Sequence, residues 1–280
     1  MYDATTDAEI RALDNHTRTN HTRATGHTQA GAPELTVITA YGRNEPHYLH
    51  AAGCSIAELP MRTQWIIAID DPATTPDDLT GLPANPLVLP TPHQHPTGPG
   101  AARNRALAHA RAPWTLICDS DDTLNPAGIR ELLATATTKQ CTWIAARAHD
   151  INPDGSHLWD GPPDTYPPGP IPAGQYLVDL ITHDAVPFVN NTVAMRTSAL
   201  RRIGGWPEFL RSEDTAMLAA LTSHHDGYWL PVLTYHYRQH PHSITAQPDW
   251  ATRNREYRDM VQLITATSPH ATTRPITRAA

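Results

Sequence analysis

Cysteine, lysine and long apolar runs are scarce in this sequence. Its three cysteines, Cys54, Cys118 and Cys141, are odd in number and widely spaced. This spacing excludes a disulfide framework and fits no zinc-ribbon motif. No segment approaches the roughly 20 continuous apolar residues of a spanning helix, and the polar N-terminal region lacks a signal-peptide core. We therefore expect a soluble, cytoplasmic protein without a transmembrane segment, and leave peripheral membrane association open.

Positive charge is in deficit. Acidic residues outnumber basic ones 28 to 21, which gives a formal net charge of -7, and Lys139 is the single lysine. A protein that binds a nucleic-acid backbone usually carries the opposite balance, because it must neutralise phosphates. The composition therefore excludes nucleic acid as the expected partner.

The hydrophobic pattern divides the chain into parts. The first 33 residues are polar and show no hydrophobic period, which is typical of a disordered segment. Residues 152–174 are rich in proline and predict an irregular, lid-like excursion. The expected parts are a disordered tail (1–33), one α/β domain (34–247), and a C-terminal helix and tail (248–280).

Short runs rich in β-formers alternate with segments rich in helix formers. Expected strands cover 35–40, 65–69, 86–89, 114–118, 141–148, 192–196 and 228–237; expected helices cover 48–59, 101–111, 126–137, 175–183 and 213–223. This alternation predicts the α/β class, with a parallel sheet whose faces are covered by helices.

Two acidic groups come directly after expected strands. Asp70 and Asp71 follow the second strand, and Asp119, Asp121 and Asp122 follow a later one. Because ligands of such sheets bind outside the carboxyl ends of the strands, we expect the two groups to converge on one crevice.

The second group, Asp119-Ser120-Asp121-Asp122, places three carboxylates within four residues. Their mutual repulsion favours a compensating cation. Hard oxygen ligands suit Mg²⁺ or Mn²⁺, with phosphate oxygens completing the coordination shell. A solvated turn that leads into a helix cap is the alternative interpretation.

Seven segments taken together resemble the family 2 glycosyltransferases of GT-A fold, in that family's order, over about residues 34 to 245. These segments are 36–41, 66–71, 98–104, 118–122 with Pro126, 204–206, 213–214 and 237–240. The resemblance implies a mixed, mostly parallel sheet flanked by helices, and a D-x-D motif at Asp119 and Asp121. It also implies that the domain 34–247 has a nucleotide-binding half (34–150) and an acceptor half (151–247). Gly42 after Tyr41 and Pro72 after Asp71 depart from the family's pattern, which leaves the nucleotide's identity open.

For the first strands, the resemblance implies a nucleobase site formed by Thr39, Tyr41 and Asp71, with Asp70 beside them. An aromatic ring offers a stacking face, and a carboxylate can accept the imide proton of uracil or thymine. A core position for Tyr41 and a strand-terminating turn at Asp70 and Asp71 are the alternatives.

For the nucleotide's ribose and phosphates and for the metal, the resemblance implies further positions on a helix and in the D-x-D segment. Arg103 and Asn104 lie one turn into a helix whose N-terminus favours anions, and Arg103 is a candidate diphosphate or ribose contact. A surface arginine is the alternative. Asp119 is expected to face the ribose and Asp121 to bind the metal, with Asp122 as an alternative ligand.

The later segments supply the acceptor side of the expected site. The resemblance implies that Trp206 and Glu213 contact substrate, and that Asp214 is the catalytic base that deprotonates the acceptor hydroxyl. The alternative for this acidic pair is favourable placement at a helix N-terminus, where the dipole stabilises carboxylates.

Near the end of the last expected strand, Arg238 could pair with a phosphate and His240 could ligate the metal. Because the chain contains 17 histidines, chance placement of His240 is the alternative. His236 and His242 are neighbours that could serve instead.

The resemblance implies a glycosyltransferase that moves a sugar from a UDP- or dTDP-sugar to a hydroxyl with inversion, assisted by Mn²⁺ or Mg²⁺. The acceptor, a glycan, lipid carrier or small metabolite, stays open. A nucleotidylyltransferase acting on a sugar phosphate is one alternative, because it shares acidic metal ligands and a nucleotide-binding α/β half. A non-catalytic binding protein that keeps the fold is the other.

Overall fold

We analyse a computed structural model of the chain, which describes residues 31–42, 46–209, 211–243 and 256–267. Residues 1–30 of the predicted disordered tail lie outside the described residues. Of the predicted C-terminal helix and tail, the helical segment Glu256–Thr267 is described.

The described elements alternate along the chain as expected. The strands are β1 (Leu35–Tyr41), β2 (Thr63–Ile69), β3 (Leu87–Leu89), β4 (Trp114–Ile117), β5 (Thr123–Leu124), β6 (Trp143–Ile151), β7 (His157–Trp159), β8 (Gly169–Ile171), β9 (Ala194–Arg196) and β10 (Gly227–Arg238). The helices are α1 (Pro46–Ala57), α2 (Pro99–His109), α3 (Pro126–Lys139), α4 (Gln175–His183), α5 (Thr197–Arg202), α6 (Glu213–Thr222) and α7 (Glu256–Thr267), with 3₁₀ turns at Pro76–Leu79 and Asn190–Thr192.

Within the described residues the strands form one mixed sheet. Its main path is β3-β2-β1-β4-β9-β6-β10-β5, with β7 on β6 and β8 on β10. The six strands β1 to β4, β6 and β10 run in one direction, while β5, β7, β8 and β9 run against it. The predicted mixed, mostly parallel sheet flanked by helices is therefore confirmed.

Buried side chains along β1 and β2 point alternately to the two faces of the sheet, so the core has two parts. Val37 and Ile67 belong to one buried cluster, whereas their neighbours Ile38 and Ile66 belong to the other. The first cluster includes side chains of α1 and α3, and the second includes side chains of α2, α4, α5, α6 and α7. Successive strand residues point to opposite faces, so helices on both sides bury continuous apolar strands.

Local sequence signals set several helix boundaries. Asn125 caps α3 because its side-chain oxygen accepts a hydrogen bond from the Gly128 backbone N–H at 3.0 Å, and Pro126 occupies the first turn. The predicted helix 175–183 has the same bounds in the structure.

Two local predictions need correction. The stretch 152–174, predicted to be irregular, contains the short strands β7 and β8, which pair with β6 and β10. The strand predicted at 192–196 starts later, because the chain first forms the 3₁₀ turn Asn190–Thr192. Both misses come from pairing with distant strands, which local propensity does not record.

A membrane-crossing helix would need a long apolar stretch, and the described helices include none with that length and character.

Candidate active site

Arg103 joins two acidic segments that are far apart in the sequence. It projects from α2, is buried, and donates a hydrogen bond to Asp119 Oδ1 at 2.8 Å. Its other terminal nitrogen donates to Glu213 at the start of α6. Although burial alone would lower the pKa of Arg103, the charges of Asp119, Glu213 and Asp214 raise it above its ordinary value. The guanidinium therefore stays charged and holds the D-x-D segment beside α6.

Glu213 is the more buried of the two acids that contact Arg103. Burial raises the pKa of Glu213 to about 7, and the positive charge of Arg103 opposes that rise. Its contacts give Glu213 a role in positioning Arg103. A direct contact between Glu213 and substrate stays a prediction.

The second oxygen of Asp119 is also fixed. Asn191 Nδ2 donates to Asp119 Oδ2 at 2.7 Å and lies 3.2 Å from the Tyr235 hydroxyl. The Asp119 backbone N–H donates to that same hydroxyl at 3.0 Å. Asp119 is thus held from three sides, while 29% of its side chain remains exposed, which is compatible with the predicted ribose contact.

Asp122 is held inside the protein. The Tyr235 hydroxyl donates to Asp122 Oδ2 at 2.7 Å, and the Arg238 backbone N–H donates to Asp122 Oδ1 at 2.6 Å. Burial, followed by the charges of Asp121 and Asp119, raises the pKa of Asp122 well above its ordinary value. Because both oxygens already have partners and the residue is buried, the geometry favours Asp121 over Asp122 as a metal ligand.

Asp121 faces the late histidine that the sequence singled out. His240 Nε2 lies 2.8 Å from Asp121 Oδ2, and the His240 ring packs beside Tyr48 at a centroid distance of 5.2 Å. Arg238 Nε donates to the Asp121 backbone carbonyl at 2.7 Å, and its guanidinium lies 4.8 Å from the centre of the Tyr48 ring. Tyr48 and Arg238 therefore frame the pair Asp121 and His240.

The Asp121 and His240 side chains fit a divalent cation. Burial and the charge of Asp119 raise the pKa of Asp121, so negative charge at this position lacks full compensation. His240 Nδ1 is buried without a hydrogen-bond partner in the described part of the chain, while Nε2 points at the carboxylate. A carboxylate and an imidazole suit Mn²⁺, with remaining positions open to phosphate or water.

Asp214, the predicted base, has a different environment from Glu213. It is half-buried at the start of α6 and accepts hydrogen bonds from Asn190 Nδ2 at 3.1 Å and from the Thr215 backbone N–H at 2.7 Å. Tyr176 in turn donates to Asn190 Oδ1 at 3.0 Å. Consecutive helical residues point in different directions, so Glu213 faces Arg103 while Asp214 remains partly exposed.

The residues predicted to contact the nucleobase are already hydrogen-bonded to, or packed against, other parts of the protein. Thr39 is fully buried; its hydroxyl donates to the Cys118 carbonyl at 2.7 Å and accepts from Trp65 Nε1 at 2.9 Å. Tyr41 is buried in a core cluster. Asp71 is partly exposed, and its oxygens accept from the Ala73 backbone and the Thr74 hydroxyl. The nucleobase roles stay predictions, with Asp71 the most accessible of the three.

Asp70 fixes the start of α2. One oxygen accepts from the backbone and hydroxyl of Thr97 at 2.9 and 2.7 Å, and the other accepts from the Gly98 backbone at 2.8 Å. Since α2 carries Arg103, Asp70 and Asp119 are connected through this helix. The two acidic groups lie at the same edge of the sheet, and α2 links them.

Asn104 and Trp206 contact each other. Asn104 Nδ2 donates to the Trp206 carbonyl at 2.7 Å, and the Trp206 backbone N–H donates to Asn104 Oδ1 at 2.9 Å. Trp206 is buried. The two residues thus lock the turn before α6 against α2, and their predicted contacts with substrate stay untested.

Sequence reasoning missed four residues that organise the site: Tyr48, Asn190, Asn191 and Tyr235. Asn190 and Asn191 lie in one 3₁₀ turn and donate to two different acids, Asp214 and Asp119. The Tyr235 hydroxyl contacts both Asp119 and Asp122. The adjacent pair of asparagines was the one visible signal, but only the fold shows which acids they meet.

Comparison with known proteins agrees with this architecture. The model of "Glycosyl transferase family 2" matches residues 36–204. A pre-mycofactocin glycosyltransferase of Mycobacterium tuberculosis is 27% identical over 185 residues, which is 64% of this chain and 37% of that protein. The succinoglycan biosynthesis protein ExoO of Rhizobium meliloti is 26% identical over 126 residues, or 45% of this chain and 36% of that protein. The chain therefore spans little more than a third of the length of these relatives.

The fold of this chain resembles that of solved structures. The S. aureus TarS fragment 1-349 in complex with UDP-GlcNAc superposes with a TM-score of 0.66 at 16% identity, covering 84% of this chain and 67% of that one. The same fragment in complex with UDP gives a TM-score of 0.63, also at 16% identity, over 84% and 66% of the two chains. The family model matches more than half of the sequence, and the fold and acidic edge agree with it, so this chain belongs to glycosyl transferase family 2.

Proposed function

We propose that this protein transfers a sugar from a nucleoside diphosphate donor to an acceptor hydroxyl. The observation that carries the proposal is the contact of Arg103 with both Asp119 and Glu213. Through it, the D-x-D segment and the predicted base Asp214 lie at one edge of the sheet, where α/β folds bind ligands.

The donor we propose is a UDP- or dTDP-sugar. Two structures with the same fold were solved with UDP and with UDP-GlcNAc, which supports a uridine nucleotide as the first choice. Asp71 would accept the imide proton of the base, and Asp119 would accept a ribose hydroxyl.

Asp121 and His240 would hold Mn²⁺ or Mg²⁺ beside the donor's diphosphate. When bound, the cation neutralises negative charge that develops on the leaving nucleoside diphosphate. Arg103 keeps Asp119 in place without depending on the cation, because its own ion pairs are internal to the protein.

Asp214 would take the proton from the acceptor hydroxyl as that oxygen attacks the anomeric carbon from the face opposite the leaving group. The glycosidic bond to the diphosphate breaks, the new bond forms, and the configuration inverts. Asn190 and the Thr215 backbone N–H orient the carboxylate for this step. The acceptor is a glycan, lipid carrier or small metabolite, and the stretch 152–174 beside the site would help to select it.

Incubation with a panel of UDP- and dTDP-sugars and Mn²⁺, with chromatographic detection of the released nucleoside diphosphate, tests the proposal. We expect release from at least one donor, its loss in EDTA, and a fall of at least about 100-fold in Asp121→Asn. Asp77→Asn, an exposed acid outside the site, serves as the matched control. Pyrophosphate formation from a sugar phosphate and a nucleoside triphosphate would instead establish a nucleotidylyltransferase.

A further inference from the structure

A second group of metal-ligating side chains lies outside the candidate active site, on the hairpin formed by β6 and β7. Ligand atoms of His149, His157 and Asp160 all lie within 4.8 Å of one another. His157 Nε2 is 2.8 Å from Asp160 Oδ1, and His149 Nδ1 is 3.8 Å from the same oxygen. The two imidazole rings meet edge to face at a centroid distance of 5.6 Å.

The backbone fixes the approach of these side chains. His149 lies on β6 and His157 on β7, which pair antiparallel at Asp150 with Trp159 and at Ile151 with His157. After Asp160, Gly161 adopts a φ of +80°, and a Cβ at that position would lie 2.3 Å from the Ala148 carbonyl oxygen. The turn that carries Asp160 therefore packs directly on the strand that carries His149, which a side chain at residue 161 would prevent.

The spacing suits a small transition-metal ion. Two ligands of a tetrahedral ion with bonds of about 2.0–2.1 Å lie about 3.4 Å apart. The distances of 2.8 and 3.8 Å from Asp160 to the two histidines lie on either side of that value. Shifts of less than about 1 Å would equalise them, and His157 and Asp160 are exposed enough to move.

The surrounding charges are compatible with a cation. Arg147, which shares the face of His149 two residues away, is neutralised by both carboxylate oxygens of Asp164 at 2.7 and 2.5 Å. On the neighbouring strand β10, His236 occupies the register position opposite His149, so a third imidazole projects from the same side of the sheet.

We infer that His149, His157 and Asp160 form a binding site for a transition-metal dication of the Zn²⁺ class, separate from the pair Asp121 and His240. Neutral imidazole and carboxylate ligands match the preferences of such ions. Three protein ligands leave a coordination position for water, as in open zinc sites. The ion would tie β7 to β6 at the start of the segment 152–174.

Calorimetric titration of the untagged 280-residue chain with Zn²⁺, in excess Mg²⁺ after removal of bound metal by a chelator, tests the inference. Because the chain has 17 histidines, the readout is the difference between variants. We expect His157→Ala and Asp160→Asn each to weaken one Zn²⁺ site at least about tenfold. Both residues are exposed, so these variants should fold. His149→Ala, on the strand itself, should have the same effect.

Two controls localise the site. The double variant His93→Ala/His95→Ala removes two exposed loop histidines and should leave the Zn²⁺ isotherm as in the wild type. Asp121→Asn should also retain the hairpin site. If the isotherms of His157→Ala and Asp160→Asn superpose on that of the wild type, the three residues form only a surface ion pair and the inference is wrong.

Discussion

The Arg103 guanidinium and the Glu213 carboxylate form a buried ion pair: the Arg103 side chain is 5% exposed and the Glu213 side chain 6%. The pair connects α2 to α6, and through the second arm of Arg103 it reaches Asp119. The candidate site is therefore assembled by one cation between acids that are 94 residues apart in the sequence, Asp119 and Glu213.

Removal of that cation should destabilise the protein. Arg103→Ala leaves two carboxylates without their partner, one of them buried, and loss of one member of a buried pair costs about 3–5 kcal/mol. Urea denaturation followed by circular dichroism measures the free energy of unfolding. Arg130→Ala on the exposed face of α3 is the control and should change it by less than about 0.5 kcal/mol. Equal effects of the two variants would contradict the central role of Arg103.

Glu213 should make stability depend on pH. Its pKa of about 7 in the folded protein lies above the ordinary value of 4.5, so the folded state binds the proton more tightly than the unfolded state. The contribution of Glu213 to the free energy of unfolding should therefore fall as pH rises from about 4.5 to about 7.

Glu213→Gln removes this titration while its amide oxygen can still accept a hydrogen bond from Arg103. Chemical denaturation of wild type and variant at intervals between pH 4.5 and pH 7 measures the difference. We expect stability of the wild type, relative to Glu213→Gln, to decline across that range. A constant or increasing difference would show that Arg103 keeps Glu213 ionised throughout.

Loss of the Tyr235 hydroxyl should destabilise the protein by more than the loss of one ordinary hydrogen bond. Tyr235→Phe leaves Asp122 Oδ2 and the Asp119 backbone N–H without a partner, and we expect a loss of about 1–3 kcal/mol of stability. Tyr228→Phe is the control, because its ring lies 5.7 Å from Lys139 Nζ and stays in place. Thermal unfolding of both variants under one condition gives the comparison.

The sequence predicted the alternating strands and helices and the strand ends at which the acids lie, but not the pairing of β7 and β8. β-Branched runs such as Thr36–Ile38 and the helix formers after Pro99 specify local structure, and a parallel sheet brings the strand ends together. The strand pattern alone therefore places Asp70 and Asp119 at one edge of the sheet.

The partners of those acids could not be derived in this way. The same holds for Thr39, a predicted nucleobase contact: its hydroxyl bonds to the Cys118 carbonyl and to Trp65 Nε1, and the sequence indicated neither partner. Tyr235 reaches Asp122 across 113 positions of sequence. Such contacts depend on side-chain direction and strand register, which composition and spacing do not encode.

The turn before α6 offers a test of its contact with Asn104. Gly204 and Gly205 have φ values of +87° and +76°, but a Cβ at Gly205 would lie 2.1 Å from Asn104 Oδ1, whereas one at Gly204 meets nothing within 4 Å. Gly204→Ala should cost about 1 kcal/mol from backbone strain alone. Gly205→Ala should cost more, because it also displaces Asn104.

A double-mutant cycle separates the two contributions. In the background of Asn104→Ala the 2.1 Å contact is absent and only Leu107 Cδ2, at 3.2 Å, lies close to the new Cβ. Gly205→Ala should then cost less than it does in the wild-type background and approach the cost of Gly204→Ala. Urea denaturation of the set provides the values. If Gly205→Ala costs the same with and without Asn104, the side-chain contact does not control the turn.

Asp214 should matter for turnover far more than for folding. Asn190 and the Thr215 backbone donate to different oxygens of Asp214, and Asp214→Asn keeps one of these two acceptors. The free energy of unfolding should therefore fall by about 1 kcal/mol. The amide cannot take a proton at neutral pH, and loss of a general base lowers kcat by about 10²–10⁴-fold. Transfer assays with the active donor, together with urea denaturation, measure both quantities. Since donor binding does not need a base, KM for the donor should change much less than kcat, and a variant that loses donor affinity instead would assign Asp214 to binding.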